Sequence, residues 1–188
     1  GVGRGALAHV MLGLDAQDGS CLGLVAGQVW TRQGRVRVPH RKRPLSQRES
    51  ERWLSTAEAA KAVLSNAAMV TVIADRESDI YAQWARLPAP GFHLLTRVQK
   101  DRRLHKEGML YAFGANLPVA GTRLLELRAR PGRPKREARL MLRFGQVALR
   151  RPDDIGARSL PDSVRLSYVE VVEQQPPSDS EPLHWRLL

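Results

Sequence analysis

A chain of 188 residues with 43% hydrophobic and 26% charged positions has the composition of a globular protein with a real core, in one domain or one domain with an insertion. Thirty Lys and Arg against 19 Asp and Glu leave a formal charge of +11, which points to a polyanionic partner, nucleic acid first. A basic solvated surface, or arginine bias from a GC-rich genome, gives the same balance. One cysteine, Cys21, excludes an internal disulfide, and no Cys/His spacing fits zinc, so the expected setting is reducing and cytoplasmic. No apolar stretch reaches membrane-spanning length and no signal peptide is visible, so no membrane partner is expected. The first residue is Gly1, and the last four, Trp185 to Leu188, are mostly apolar; both ends read as cut from a longer protein.

In chain order, Gly-Val-Gly-Arg-Gly at the start follows no strand and reads as a lead-in rather than a phosphate cradle. Residues 6–15 and 22–31 alternate as two strands around an Asp-Gly turn, which predicts an antiparallel hairpin ending at Trp30. Residues 32–48 form a basic loop with no acid in it, including Arg41, Lys42 and Arg43. It is either a solvated charge run or a phosphate contact surface. Ser46-Gln47-Arg48-Glu49 has the form of a capping box. It predicts a helix from about 47 to 65 that buries Trp53, Leu54, Ala57, Ala60, Val63 and Leu64.

The apolar run 69–74 then ends at Asp75, with Glu77 and Asp79 close behind. Six uncharged residues suit a strand buried on both faces, with Asp75 at the sheet edge where α/β proteins place their chemistry. Three acids within five residues, beside Arg76, suggest a site for a divalent cation. The competing account is that Asp75 caps the next turn, that Glu77 and Asp79 open a helix, and that Arg76 neutralises them. A short helix over 79–87, stopped by Pro88-Ala89-Pro90-Gly91, and a strand over 92–98 follow. Lys100, Arg102 and Arg103 make a second basic cluster. From 104 onward helical periodicity is absent and strands are expected at 109–113, 122–130, 135–150, 164–173 and 183–188, with a Pro/Ser/acidic loop over 174–182.

Several pieces resemble the IS4 family of bacterial cut-and-paste transposases. These are Gly23-Leu24 with Gln28-Val29-Trp30, the run Arg48 to Leu54, His93 to Arg97 followed by Asp101-Arg102, and the run Pro182 to Leu188. The most specific is Val72-Ile73-Ala74-Asp75-Arg76-Glu77-Ser78-Asp79-Ile80-Tyr81. The resemblance covers nearly the whole chain. It implies an α/β fold with a partial ribonuclease H-like catalytic core over 1–103, a β-rich insertion over 104–182, and a strand at 183–188 that leaves the insertion. It also implies an enzyme that cuts and joins DNA at transposon ends with two Mg2+ or Mn2+ ions, working as a homodimer near the bacterial nucleoid. Family members carry Asp, Asp and Glu; Asp75 matches the second, and the other two fall outside this sequence, so the segment alone is expected to be inactive.

By the same resemblance Arg97 contacts DNA phosphate and Trp185 stacks on an extruded base. The plain alternatives are a surface arginine and a β-module core tryptophan. Two other function classes compete: a non-catalytic basic DNA-binding protein derived from a transposase, and a phospho-acceptor domain with Asp75 as acceptor. The latter is disfavoured because a β-rich half replaces the required alternation of strands and helices.

Overall fold

The computed structural model describes residues 5–31, 39, 42–48, 50–132, 134–178 and 180–188. Among these the chain is mixed α/β, with three α-helices and eight strands. None of those helices is long and apolar enough to cross a membrane. Two compact units divide the chain: Gly1–Leu94 with Pro152–Pro161, and Leu95–Arg151 with Asp162–Leu188.

In the first unit, β1 (Leu7–Leu14) and β2 (Cys21–Trp30) form the expected antiparallel hairpin. Its turn is built as the Asp-Gly signal implies. The Asp15 and Asp18 carboxylates accept from the backbone of Gln17 and Ser20, and Gly19 takes a φ of 75°, open to glycine without a steric cost. One face of the hairpin packs on α1 (Glu51–Val63): His9 packs against Trp53 with its ring tilted, Gln28 donates to Ser55 Oγ, and Arg52 lies over the Trp30 ring. The opposite face exposes Val10, Leu12, Leu14, Leu24 and Val29.

Helix α1 starts later than its sequence suggests. Leu45–Gln47 is a 3-10 turn, Arg48 is extended, and Ser50 is the N-cap without a side-chain cap bond. The extended backbone at Arg48 interrupts the helix that the Ser-x-x-Glu pattern predicts; Glu49 lies outside the described residues. The buried face is Leu54, Thr56, Ala57 and Ala60, whereas Trp53 is half-buried and Val63 is exposed.

Among the described residues strand β3 (Val70–Ala74) pairs only with β4 (Phe92–Thr96). The expected burial on both faces is therefore not realised: Val72 is buried but Ile73 is 76% exposed. Beyond β3 a 3-10 turn, Arg76–Ser78, precedes α2 (Tyr81–Arg86), which buries Tyr81, Ala82, Gln83 and Trp84. Segment Pro152–Pro161 belongs to this unit, tied in by the Tyr81 hydroxyl, which donates to the Pro161 carbonyl, and by an Arg48–Asp154 ion pair at 2.9 Å.

The second unit is a four-stranded antiparallel sheet in the order β5 (Gly121–Leu127), β6 (Arg136–Arg150), β7 (Ser163–Gln174), β8 (His184–Leu187). Thr96 and Leu188 exchange backbone hydrogen bonds, and Val98 donates to Arg186, so residues 96–98 continue the ladder beyond β8. The long strands bury opposite faces at their two ends. At one end Leu127, Ala138, Leu140 and Val171 form an apolar cluster with Leu183 and Trp185 against it. At the other, Val147, Leu149 and Tyr168 are buried on the side covered by α3 (Leu110–Asn116).

Helix α3 corrects the expected strand at 109–113. Leu110, Phe113, Gly114 and Leu117 follow helical spacing and turn toward the sheet. The run 109–113 looks like a strand only because five mostly apolar residues are too few to reveal a period.

Candidate metal ligand and nucleic-acid interface

Asp75 stands at the C-terminal end of β3 with an exposed side chain. Its Oδ1 accepts the Glu77 backbone N–H at 2.9 Å, which caps the 3-10 turn; Oδ2 has no partner among the described residues. The cap role and an outward carboxylate thus coexist. The three neighbouring acids do not converge. Glu77 is exposed in the turn, whereas Asp79 is buried and its N–H closes the turn on Arg76. Helix α2 has no acid in its first turn, so Glu77 and Asp79 do not open it as expected. No group of three or more His, Cys, Asp or Glu among the described residues is placed to hold a metal ion. The suggested cation site built from Asp75, Glu77 and Asp79 is not formed, because a tight turn sends successive side chains in different directions. A magnesium ion prefers six oxygen ligands, of which Asp75 is chemically suited to supply one.

The first basic cluster is partly described. Arg41 lies outside the described residues, Lys42 is exposed, and Arg43 is half-buried. The Arg43 carbonyl accepts two bonds from Arg48, Nε at 3.1 Å and Nη2 at 2.8 Å, and the same Nη2 reaches Asp154. Arg48 is 9% exposed and Gly156 sits against its guanidinium, with no room for a Cβ. The fold therefore uses Arg48 as a clamp that fixes the backbone carrying Lys42 and Arg43.

In the second unit Arg97 forms a β-bridge with Leu187, two residues from Trp185 on β8. Residues opposite one another share a face and side chains alternate along a strand, so Arg97 and Trp185 lie on one face of the ladder. Both are half-buried, and Trp185 packs against the apolar cluster of the sheet. Lys100 and Arg103 are exposed, and Arg102 is half-buried with its carbonyl accepting from Leu110. Asp101, between them, accepts the Tyr111 N–H at 2.9 Å, which caps α3 from a distance in sequence.

Two constellations escape a linear search. His9 packs against Trp53 with ring centroids 4.2 Å apart and planes tilted by 58°, and its Nε2 is buried without a partner among the described residues. Burial lowers its pKa, and the negative charge of Glu77 opposes that only in part. The other surrounds Glu170, which is 2% exposed. Its Oε1 accepts from Arg186 Nε at 3.0 Å and meets His184 Nε2 at 2.8 Å, while Oε2 accepts from Arg143 Nη1 at 3.3 Å. Burial pushes the Glu170 carboxyl up, but His184, Arg186 and Arg143 together outweigh it and hold its pKa below the usual carboxylate value. Tyr168, buried beside this group, is pushed up to about 12 by burial first and by the Glu170 charge second. Arg143 lies opposite Glu170 and Glu170 opposite Arg186 across three strands. Strand register makes this cluster; each member alone is an ordinary charged residue in the sequence.

No protein-family model matches the sequence.

Proposed function

We propose that this chain is the central part of a transposase of the IS4 type, an enzyme that cuts and joins DNA at transposon ends. The observation that carries this is the outward carboxylate of Asp75 at a strand end, within the run Val72 to Tyr81 that most resembles the family. The fold would be a partial ribonuclease H-like core with a β-rich insertion, and the full-length protein would act as a homodimer at the bacterial nucleoid. Asp75 would hold Mg2+ or Mn2+ as one of three acids, the other two coming from outside these 188 residues. Such ions, when bound as a pair roughly 3.5–4 Å apart, supply Lewis-acid activation of the attacking and leaving oxygens at phosphorus.

The chain's own residues would bind and orient the DNA. Lys42 and Arg43, on backbone fixed by the Arg48 clamp, are suited to phosphate contacts, with Arg41, Lys100, Arg102 and Arg103 adding positive charge. Arg97 would contact a phosphate near the reacting bond. Trp185, on the same face, would stack on an extruded base, an interaction worth roughly 1–3 kcal/mol.

A second reading is a non-catalytic DNA-binding protein derived from a transposase. It keeps the basic surface and needs no metal. Asp75→Asn in the full-length protein separates the two. On the enzymatic reading, strand cleavage falls by at least about two orders of magnitude while binding to transposon ends persists. Cleavage at the parental rate excludes Asp75 as a ligand.

A further inference from the structure

We infer that the part of the β5–β8 sheet that α3 leaves open, on the side the helix packs against, carries a further phosphate-contact site made by Arg139, Arg143 and His184, the last two held in place by the buried Glu170 carboxylate. It deepens the proposed function and rests on DNA being the partner. Strand β6 runs from Arg139 to Arg150 without a register break, so Arg139, Arg143 and Gly145 point to one side. Helix α3 covers that side at Gly145, where Leu117 and Phe113 leave no room for a Cβ. Toward Arg139 the side is open: Arg139 is exposed, and Leu124, directly opposite it, is 59% exposed; the cross-strand pair Glu137 and Glu126 lies next along this face, with Glu126 paired to Lys135 at 3.1 Å, so the positive charge is concentrated between Arg139 and Arg143.

The donor inventory at this end is unbalanced. A guanidinium has five N–H donors. Among the described residues Arg143 makes one hydrogen bond, at 3.3 Å to Glu170, and its Nε is buried and unpaired. Arg186 is more fully engaged, with Nε on Glu170 and its guanidinium over the Tyr111 ring at 3.9 Å. One carboxylate faces two guanidiniums, so the cluster is net positive even with His184 neutral. Arg143 and His184 remain 21% and 37% exposed. A planar guanidinium held by a carboxylate behind it is pre-organised for a phosphate in front. Arg139, about 13 Å farther along the strand at 3.3 Å per residue, extends the site for a polymer rather than a single anion. Glu170 acts here as a positioning residue.

The test is binding of a labelled DNA duplex to the 188-residue chain, followed by anisotropy across about 50–200 mM salt. Each phosphate contact contributes about 0.9 to the slope of log Kd against log salt. Arg139→Gln and Arg143→Gln should each flatten the slope by about that amount, so the affinity lost over this range shrinks by about 3.5-fold per contact. Arg143→Lys, which keeps the charge, should restore the slope. Arg139 makes no ion pair among the described residues, so Arg139→Gln keeps the test valid if thermal unfolding shows that Arg143→Gln does not fold. Parental slopes in both glutamine variants would reduce the cluster to a structural one and overturn the site. Absence of salt-dependent binding by the unmodified chain would instead remove the DNA reading, and the site with it.

Discussion

Asp75 gives one oxygen to its own turn, and this limits how its side chain can move. A carboxylate anchored through Oδ1 presents Oδ2 in a fixed direction, as a ligand position requires. Elsewhere single atoms decide stability. A Cβ at Gly114 would lie 2.6 Å from Tyr168 Cε1, and Tyr168 is fully buried with a hydroxyl that has nowhere to retreat. Alanine is the better helix former by about 1 kcal/mol, yet the clash should outweigh this, and Gly114→Ala should lower unfolding stability by about 1–3 kcal/mol in urea titrations. An unchanged or raised midpoint would show that α3 is free to lift. Gly114 illustrates what sequence conceals: it reads as a weak point in an apolar run, and only the tyrosine 54 positions later explains it. Gly19 is the reverse case, because Asp-Gly between two strands already specifies its turn.

At the scale of elements, β8 is fastened to β7 by two buried acids on opposite faces. Glu173 accepts the Leu183 N–H at 3.0 Å and pairs with Arg136, while Glu170 takes His184 and Arg186. Because the folded pKa of Glu170 lies below its unfolded value of about 4.3, its stabilising contribution is complete above that value and is lost as pH falls through the folded pKa. His9 acts in the same direction: burial lowers its pKa, so protonation below about 6.5 favours the unfolded chain. Stability should therefore fall in acid, and Glu170→Gln should cost about 2–3 kcal/mol at pH 7 while flattening the loss below about pH 4.3. Urea midpoints at neutral and acid pH check both; equal midpoints for the variant and the parent at pH 7 would contradict the role given to Glu170. The strands themselves are legible because period-2 alternation is long in β6 and β7. The switch of buried face within β6 is not legible, since it depends on where α3 lies. The start of α1 is misread for a related reason: Arg48 follows a bond to Asp154, 106 residues away, rather than the local capping pattern.

At the scale of the whole molecule, the charge of +11, with a basic cluster in each of the two units, fits the proposal that DNA is the partner. The grouping of Arg97 with Trp185 on one face gives two of the residues singled out from sequence a shared location, while Asp75 stands in the other unit. Catalysis by the proposed route depends on whether the Asp75 carboxylate touches the metal. Asp75→Cys in the full-length protein tests this most directly, because a thiolate is a poor ligand for hard Mg2+ and a better one for the softer Mn2+. Strand cleavage should be lost in Mg2+ and recovered in part in Mn2+, with DNA binding unchanged in both. Cleavage in Mg2+ at the parental rate would contradict the assignment of Asp75 as a metal ligand.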